Sequence, residues 1–193
     1  MMVLVIIAGF VSVPSSSAQE RSTDPPTFGT QMESISEDAL NWAAEGNNYW
    51  LRYNGLRWSE YQPISSDDFE TNSSLEQKLV DFSDAGMETI LVIRSTPGWA
   101  RKYTQHDCSP MKSEYIDEFA DFMKQVVTTY SAAPYHVKYY ELWNEPDEYR
   151  GLVPETMISN YPMGCWGEPN DPYYGGRFYG EMLQAVYPKI KEA

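Results

Sequence analysis

Hydrophobic positions along the chain change their spacing several times, and each change predicts a new strand or helix. Short runs rich in Val, Ile, Tyr and Trp predict strands, whereas apolar residues three and four positions apart predict helices. The predicted strands cover residues 28–32, 49–54, 88–94 and 137–145, and the predicted helices cover 34–45, 74–85, 113–130 and 179–190. Strand and helix alternate four times, which predicts an α/β fold with a parallel sheet.

Polar residues at the ends of these patterns predict where the helices begin. Ser34 and Glu37 form a candidate capping box for the first helix, and Ser113 is a candidate N-cap for the third. After the second predicted strand, the strand pattern continues irregularly as far as Pro63. The third predicted strand is continuously apolar, which is typical of a strand buried on both faces of a parallel sheet.

Two predicted loops are longer than the others and follow the third and fourth strands. They cover residues 95–112 and 146–176, and loops of such length are uncommon unless they are functional. Ligand sites in parallel α/β folds lie at the carboxyl ends of the strands, where both loops begin. No turn after a predicted strand has the glycine spacing of a phosphate-binding loop. A (β/α)8-type arrangement is therefore favoured over a nucleotide-binding doubly wound sheet, and no cofactor is expected.

The first residues of the chain have the pattern of a secretion signal. An apolar run is followed by several Ser residues and a candidate cleavage site after Ala18. At roughly 13 residues the run is short for a helix that spans a bilayer. We therefore expect a secreted or periplasmic protein with a signal peptide over residues 1–18, a flexible lead-in over 19–26 and one domain over 27–193.

Composition excludes two classes of partner. The 193 residues include 28 Asp and Glu against 14 Lys and Arg, which gives a formal net charge of −14. This charge repels nucleic acids and anionic membrane surfaces, and no cluster of basic residues offsets it locally. Aromatic residues make up 15% of the chain. Their faces suit the apolar faces of neutral sugars as well as a protein core.

Cys108 and Cys165 are the two cysteines of the chain. They fall in the long loops after the third and fourth strands, which neighbouring parallel strands would bring together. A disulfide and a pair of free thiols are both open at this point. A zinc site is not expected, because His106 is the only histidine near either cysteine.

The candidate chemistry is concentrated where the fourth predicted strand ends. There the strand residues lead into Trp143, Asn144, Glu145 and Pro146, and proline stops a strand because it has no N–H for the ladder. Together with Arg52 in the second strand, this motif resembles glycoside hydrolase clan A, a set of (β/α)8 glycosidases that includes families 5 and 39. The resemblance covers essentially all of the domain but only the N-terminal half of the barrel.

The resemblance implies a carbohydrate substrate and a role for each matching residue. Glu145 corresponds to the general acid/base and Asn144 to the residue that hydrogen-bonds the sugar 2-hydroxyl. Arg52 corresponds to the arginine that supports the nucleophile, although Arg57 and Arg94 compete for this role. The chemistry agrees with these residue types, because glycoside cleavage needs a proton donor and a second carboxylate at the anomeric carbon.

The clan places its nucleophile on the seventh strand, and the sequence contains only four predicted βα units. We therefore expect a retaining glycosidase of β-linked glycosides whose nucleophile lies outside these residues, so that the chain alone is inactive. The alternative is a non-catalytic carbohydrate-binding fragment or pseudoenzyme. Glu168 and Asp171 lie in the loop after the fourth predicted strand, and their position is the one reason to consider them as replacements for the nucleophile. Open edges of a half-barrel also predict self-association.

Aromatic and acidic residues near the motif complete the predicted site. Trp99 and Trp143 are candidate platforms on which a sugar ring stacks, although each is equally well explained as a core residue. Glu141 lies on the fourth predicted strand, ahead of the motif. It is interpreted as one half of a buried ion pair inside the barrel.

Overall fold

The computed structural model describes residues 28–32 and 35–193. Within these residues, four parallel strands form one sheet in the order β1–β2–β3–β4. The strands are β1 Gly29–Met32, β2 Trp50–Arg57, β3 Glu88–Arg94 and β4 Tyr139–Leu142. Each strand pairs with its sequence neighbour, as in a (β/α)8 barrel, whereas the strand order reverses in a doubly wound sheet. The predicted signal peptide and lead-in lie outside the described residues.

Helices separate the strands and follow the predicted order. They are α1 Glu37–Glu45, α2 Trp58–Tyr61, α3 Ser73–Asp84, α4 Ile116–Tyr130 and α5 Gly176–Lys191. Short 3-10 turns cover Ser113–Tyr115, Arg150–Leu152 and Glu155–Met157. The fold is therefore α/β with four βα units, as the sequence predicts.

Two local predictions are wrong, and a third holds only in part. The N-cap of α1 is Ser36, whose Oγ accepts a hydrogen bond from the N–H of Ala39, so the helix begins later than the predicted capping box. The irregular continuation of the second strand is confirmed as far as Arg57, with a register shift between Tyr53 and Leu56, but the short helix α2 replaces the predicted strand pattern from Trp58 onward. Ser113 opens a 3-10 turn and caps no helix, so α4 begins at Ile116 instead.

The core lies between the sheet and the helices that cover its outer face. Leu91, Val92 and Ile93 of β3 have no exposed surface, which agrees with their continuous apolar run. Trp58 is also fully buried and packs against Phe119 and Phe122 of α4. This packing holds the carboxyl end of β2 against the helix layer.

Within the described residues, both outer strands of the sheet leave an edge open. Tyr139 of β4 is 45% exposed, and Phe28, just before β1, is 75% exposed. Beside β4, a groove of about 730 Å³ is lined by apolar residues of α5, including Leu183 and Tyr187. Across the part of the chain that the structure describes, no helix combines the length and the apolar character needed to cross a membrane.

Two buried tyrosines of the core predict a loss of stability at alkaline pH. The hydroxyls of Tyr61 and Tyr130 lie 2.7 Å apart, and burial raises the pKa of Tyr61 to about 12. In the unfolded chain a tyrosine loses its proton near pH 10, so between about pH 10 and 12 the folded state binds more protons. We therefore expect the free energy of unfolding to fall as pH rises through this range.

Denaturant unfolding at a series of pH values measures this effect. The contribution of Tyr61 to the free energy of unfolding is fully present below about pH 10, and it is lost as the pH passes the pKa of Tyr61 in the folded state. The Tyr61→Phe variant, which has no group to ionise at this position, should show a shallower decline. Equal slopes for the two proteins would contradict the assignment.

Candidate active site

The motif at the end of β4 adopts a sharp turn rather than a longer strand. β4 ends at Leu142, short of the predicted end at Glu145, because Trp143 and Glu145 take positive φ values of 66° and 43°. A side chain disfavours this left-handed backbone region, and such strained positions cluster at functional sites. The turn also removes the strict alternation of a strand, so neighbouring side chains need not point to opposite faces.

Arg52 of β2 connects the residues at this end of the sheet. Its guanidinium forms an ion pair with Glu141 of β4 and donates hydrogen bonds to Gln31 Oε1 at 2.8 Å and to Asn144 Oδ1 at 2.9 Å. The hydrogen bond with Glu141, aided by the charges of Glu141 and Glu145, raises the pKa of Arg52. Glu141 is thus one half of an ion pair with Arg52, but the pair is partly exposed and not buried as predicted, with 22% of the Arg52 side chain and 37% of the Glu141 side chain exposed.

Glu145 and Asn144 differ in their exposure and in their hydrogen-bond partners. Glu145 is exposed, and among the described residues no side chain hydrogen-bonds its carboxylate. Asn144 is half-buried. Its amide oxygen accepts a hydrogen bond from Arg52, and its amide nitrogen donates one to the carbonyl of Pro162 at 3.4 Å, so both bonds orient the amide. The structure therefore brings Arg52, Asn144 and Glu145 to one end of the sheet.

The two candidate sugar platforms lie in different environments. Trp143 is 1% exposed, and its ring packs on Phe119 and Trp166, so the expected stacking role does not fit its position. Trp99 is partly exposed in the loop after β3. Its indole N–H donates to the carbonyl of Gln62 at 2.8 Å, which fixes the orientation of the ring.

An ionic cluster around Asp107 was not predicted from the sequence. This carboxylate is 4% exposed and pairs with both Arg57 and Arg101, while Ser95 Oγ donates to it at 2.6 Å. No pattern around Asp107 could have indicated these contacts, because Arg57 is distant in the sequence and the loop after β3 has no regular spacing.

The contacts of the three arginines considered for the site differ. Arg57 is engaged with Asp107, and Arg94 donates to the carbonyl of Tyr161 at 3.3 Å. Arg52 instead donates to Asn144 of the motif. Arg52 therefore contacts the motif, and its role in supporting a nucleophile stays a prediction.

The two cysteines form a disulfide between the loops that follow β3 and β4. Cys108 and Cys165 have Cα atoms 5.3 Å apart and are 57 residues apart in the sequence. Among the described residues, the one group with metal-ligand spacing consists of His106 and these two cysteines. Because their sulfurs are bonded to each other, they offer no thiolate, and the group does not suit a zinc ion.

A sequence profile decides the family of this chain. The profile described as Cellulase (glycosyl hydrolase family 5) matches residues 26–161, which include β1 to β4 and the motif at Glu145. The chain belongs to glycosyl hydrolase family 5. This membership agrees with the clan indicated by the Trp143 to Pro146 motif. No match is found among curated proteins.

Solved structures support the same fold for this family 5 chain. A family 39 glycoside hydrolase from the gut symbiont Bacteroides cellulosilyticus WH2 matches 86% of the chain with a TM-score of 0.58 and 14% identity. A second glycoside hydrolase matches 84% of the chain with a TM-score of 0.51 and 12% identity. The chain spans 29% and 49% of these two structures, so it corresponds to part of a barrel.

Proposed function

We propose that this family 5 chain provides the acid/base half of a retaining glycoside hydrolase that acts on β-linked glycosides. The observation that carries the proposal is the turn after β4, which presents the exposed carboxylate of Glu145 beside Asn144. Arg52 lies behind them and orients the Asn144 amide. A strained, polar turn at the carboxyl end of a barrel strand is where this fold places catalytic residues.

Each residue has a definite part in the proposed reaction. In the first step, Glu145 donates its proton to the glycosidic oxygen as the bond to the anomeric carbon breaks and the nucleophilic carboxylate bonds to that carbon. In the second step, Glu145 removes a proton from the water that hydrolyses this covalent glycosyl-enzyme intermediate. Asn144 offers a neutral amide to the sugar 2-hydroxyl. Arg52 keeps positive charge near the second carboxylate and also holds the Asn144 amide in place. Trp99 is the remaining candidate for contact with a sugar ring.

The proposed reaction also needs a nucleophilic carboxylate about 5 Å from that of Glu145. We propose that it comes from outside these 193 residues, since the local substitutes are engaged elsewhere. Glu168 forms ion pairs with Lys102 and Arg150, and Asp171 accepts hydrogen bonds from two backbone N–H groups. We use "complete barrel" for this chain together with the segment that carries the nucleophile.

The engagement of Glu168 and Asp171 also favours a second candidate function. Without a nucleophile, the same surface would bind carbohydrate and not cleave it. In either case the proposed partner is a carbohydrate, in a secreted or periplasmic location that suits the disulfide. The open edges at β1 and β4 and the apolar groove beside α5 favour either association of two copies or contact with the rest of the barrel.

Turnover separates the two candidates. The complete barrel should hydrolyse an aryl β-cellobioside or β-xylobioside with retention of anomeric configuration, which proton NMR of the first product measures. The 193-residue chain alone should bind the same sugars without hydrolysing them. Hydrolysis by this chain alone would place the nucleophile within it, and inversion of configuration would contradict the retaining mechanism.

A further inference from the structure

A second segment of the loop after β4 covers the turn that carries Glu145. We call this segment, residues 162–166, the strap. The N–H of Gly164 donates to the carbonyl of Asn144 at 2.7 Å, and the N–H of Trp166 donates to the carbonyl of Pro146 at 2.9 Å. These two bonds bracket Glu145 in the sequence, so the strap contacts the backbone on both sides of it.

Gly164 allows the strap to approach this closely. A Cβ atom at this position would lie 2.5 Å from the Cα atom of Pro146 and 3.1 Å from the ring of Trp143. A separation of 2.5 Å from a backbone atom requires the strap or the turn to move. Gly164 is also buried, so the added carbon has no open space to occupy. Glycine is therefore needed here for space.

The disulfide joins the strap to the loop after β3. Cys165 lies in the strap between Gly164 and Trp166, and its bond to Cys108 is accompanied by two hydrogen bonds to the Cys108 carbonyl. These come from the Cys165 N–H at 3.2 Å and the Trp166 indole N–H at 3.1 Å. The strap is thus fixed to a neighbouring strand's loop as well as to the turn.

We propose that the strap positions the acid/base, with Gly164 and the Cys108–Cys165 disulfide as its positioning residues. The proposal rests on the proposed function of Glu145. Positive φ values at Trp143 and Glu145 are unfavourable for side-chain-bearing residues and persist only where surrounding contacts enforce them. The strap supplies such contacts at the Asn144 and Pro146 carbonyls.

A misplaced acid/base has a specific kinetic signature. A displacement of about 1 Å can lower a catalytic rate about 10²-fold. Misplacing a proton donor harms substrates with a poor leaving group, because they require protonation. It has little effect on a dinitrophenyl glycoside, whose leaving group departs as a stable anion. A general loss of structure would lower activity on both substrates.

The kinetic test compares Gly164→Ala with Gly180→Ala in the complete barrel. Gly180 lies in α5, and a Cβ added there meets nothing within 4 Å, so it controls for the substitution itself. With Gly164→Ala we expect kcat/KM for phenyl β-cellobioside to fall about 10²-fold. We expect kcat/KM for dinitrophenyl β-cellobioside to change little. Equal losses on both substrates would overturn the positioning role.

Amide hydrogen exchange tests the strap without requiring activity. In the 193-residue chain, the amides of residues 164 and 166 should exchange at least about tenfold faster after Gly164→Ala or after reduction of the disulfide. Unchanged exchange at both positions would overturn the proposal. If the wild-type barrel cleaves neither substrate, the proposed function fails, and the exchange result still decides whether the strap holds the turn.

Discussion

Glu145→Gln in the complete barrel is expected to lower kcat/KM for phenyl β-cellobioside by about 10² to 10⁴-fold, the usual contribution of general acid–base catalysis. Glutamine keeps the shape of the side chain but has no proton to give to the leaving group. The same variant should retain most of the first, bond-breaking step on dinitrophenyl β-cellobioside, because that leaving group needs no proton. Pre-steady-state release of dinitrophenolate measures this step.

Glu181→Gln provides the matched control for this experiment. Glu181 is an exposed residue of α5 that pairs with Arg177, and the same substitution there should leave both rates unchanged. Because Glu145 is also exposed and has no hydrogen-bonded side-chain partner among the described residues, its replacement should not lower the melting temperature. Full activity of Glu145→Gln on phenyl β-cellobioside would rule out its acid/base role.

Removal of the Cys108–Cys165 disulfide is expected to lower the free energy of unfolding substantially. The two cysteines are 57 residues apart in the sequence. A cross-link that closes a loop of this length lowers the conformational entropy of the unfolded chain, which stabilises the folded state by about 4 kcal/mol. The double variant Cys108→Ser with Cys165→Ser should therefore unfold at a lower denaturant concentration than the oxidised wild type. Equilibrium unfolding followed by tryptophan fluorescence measures the difference.

Reduced wild-type protein separates the effect of the bond from that of the substitutions. Both cysteines are buried, so two serine hydroxyls there add a desolvation cost that reduction does not. We expect the reduced protein to lose nearly as much stability as the double variant. If oxidised and reduced wild type unfold at the same denaturant concentration, the cross-link does not stabilise this fold.

The strands of the sheet could be predicted from the sequence where burial of apolar residues alone determined the local structure. Residues 88–94 form β3 as predicted, because a continuous apolar run has only a buried position available to it. The four βα units followed from hydrophobic spacing together with the glycine and proline residues that separate the apolar runs. The family motif indicated which strand end carries Asn144 and Glu145, and the structure places Arg52 beside Asn144.

Tertiary contacts explain what could not be predicted. β4 looked longer because Tyr, Glu and Trp continue the strand pattern, but Trp143 and Glu145 lie in a turn that the strap contacts from outside the strand. Trp143 looked like a sugar platform, but rings on α4 and in the strap enclose it. Asp107 and its arginine partners showed no local signal, since their pairing depends on contacts that only the folded chain brings together.

The sheet order has a consequence for the synthesis of the chain on the ribosome. Strands β2, β3 and β4 each pair with the strand made immediately before them, so that partner is already synthesised when each of them emerges. Pairing in order of synthesis needs no strand made later, but each parallel pair must first close the loop that contains the intervening helix. Each βα unit can therefore dock on its predecessor as it emerges. The disulfide, which links the loops after β3 and β4, forms only after the fourth strand has arrived.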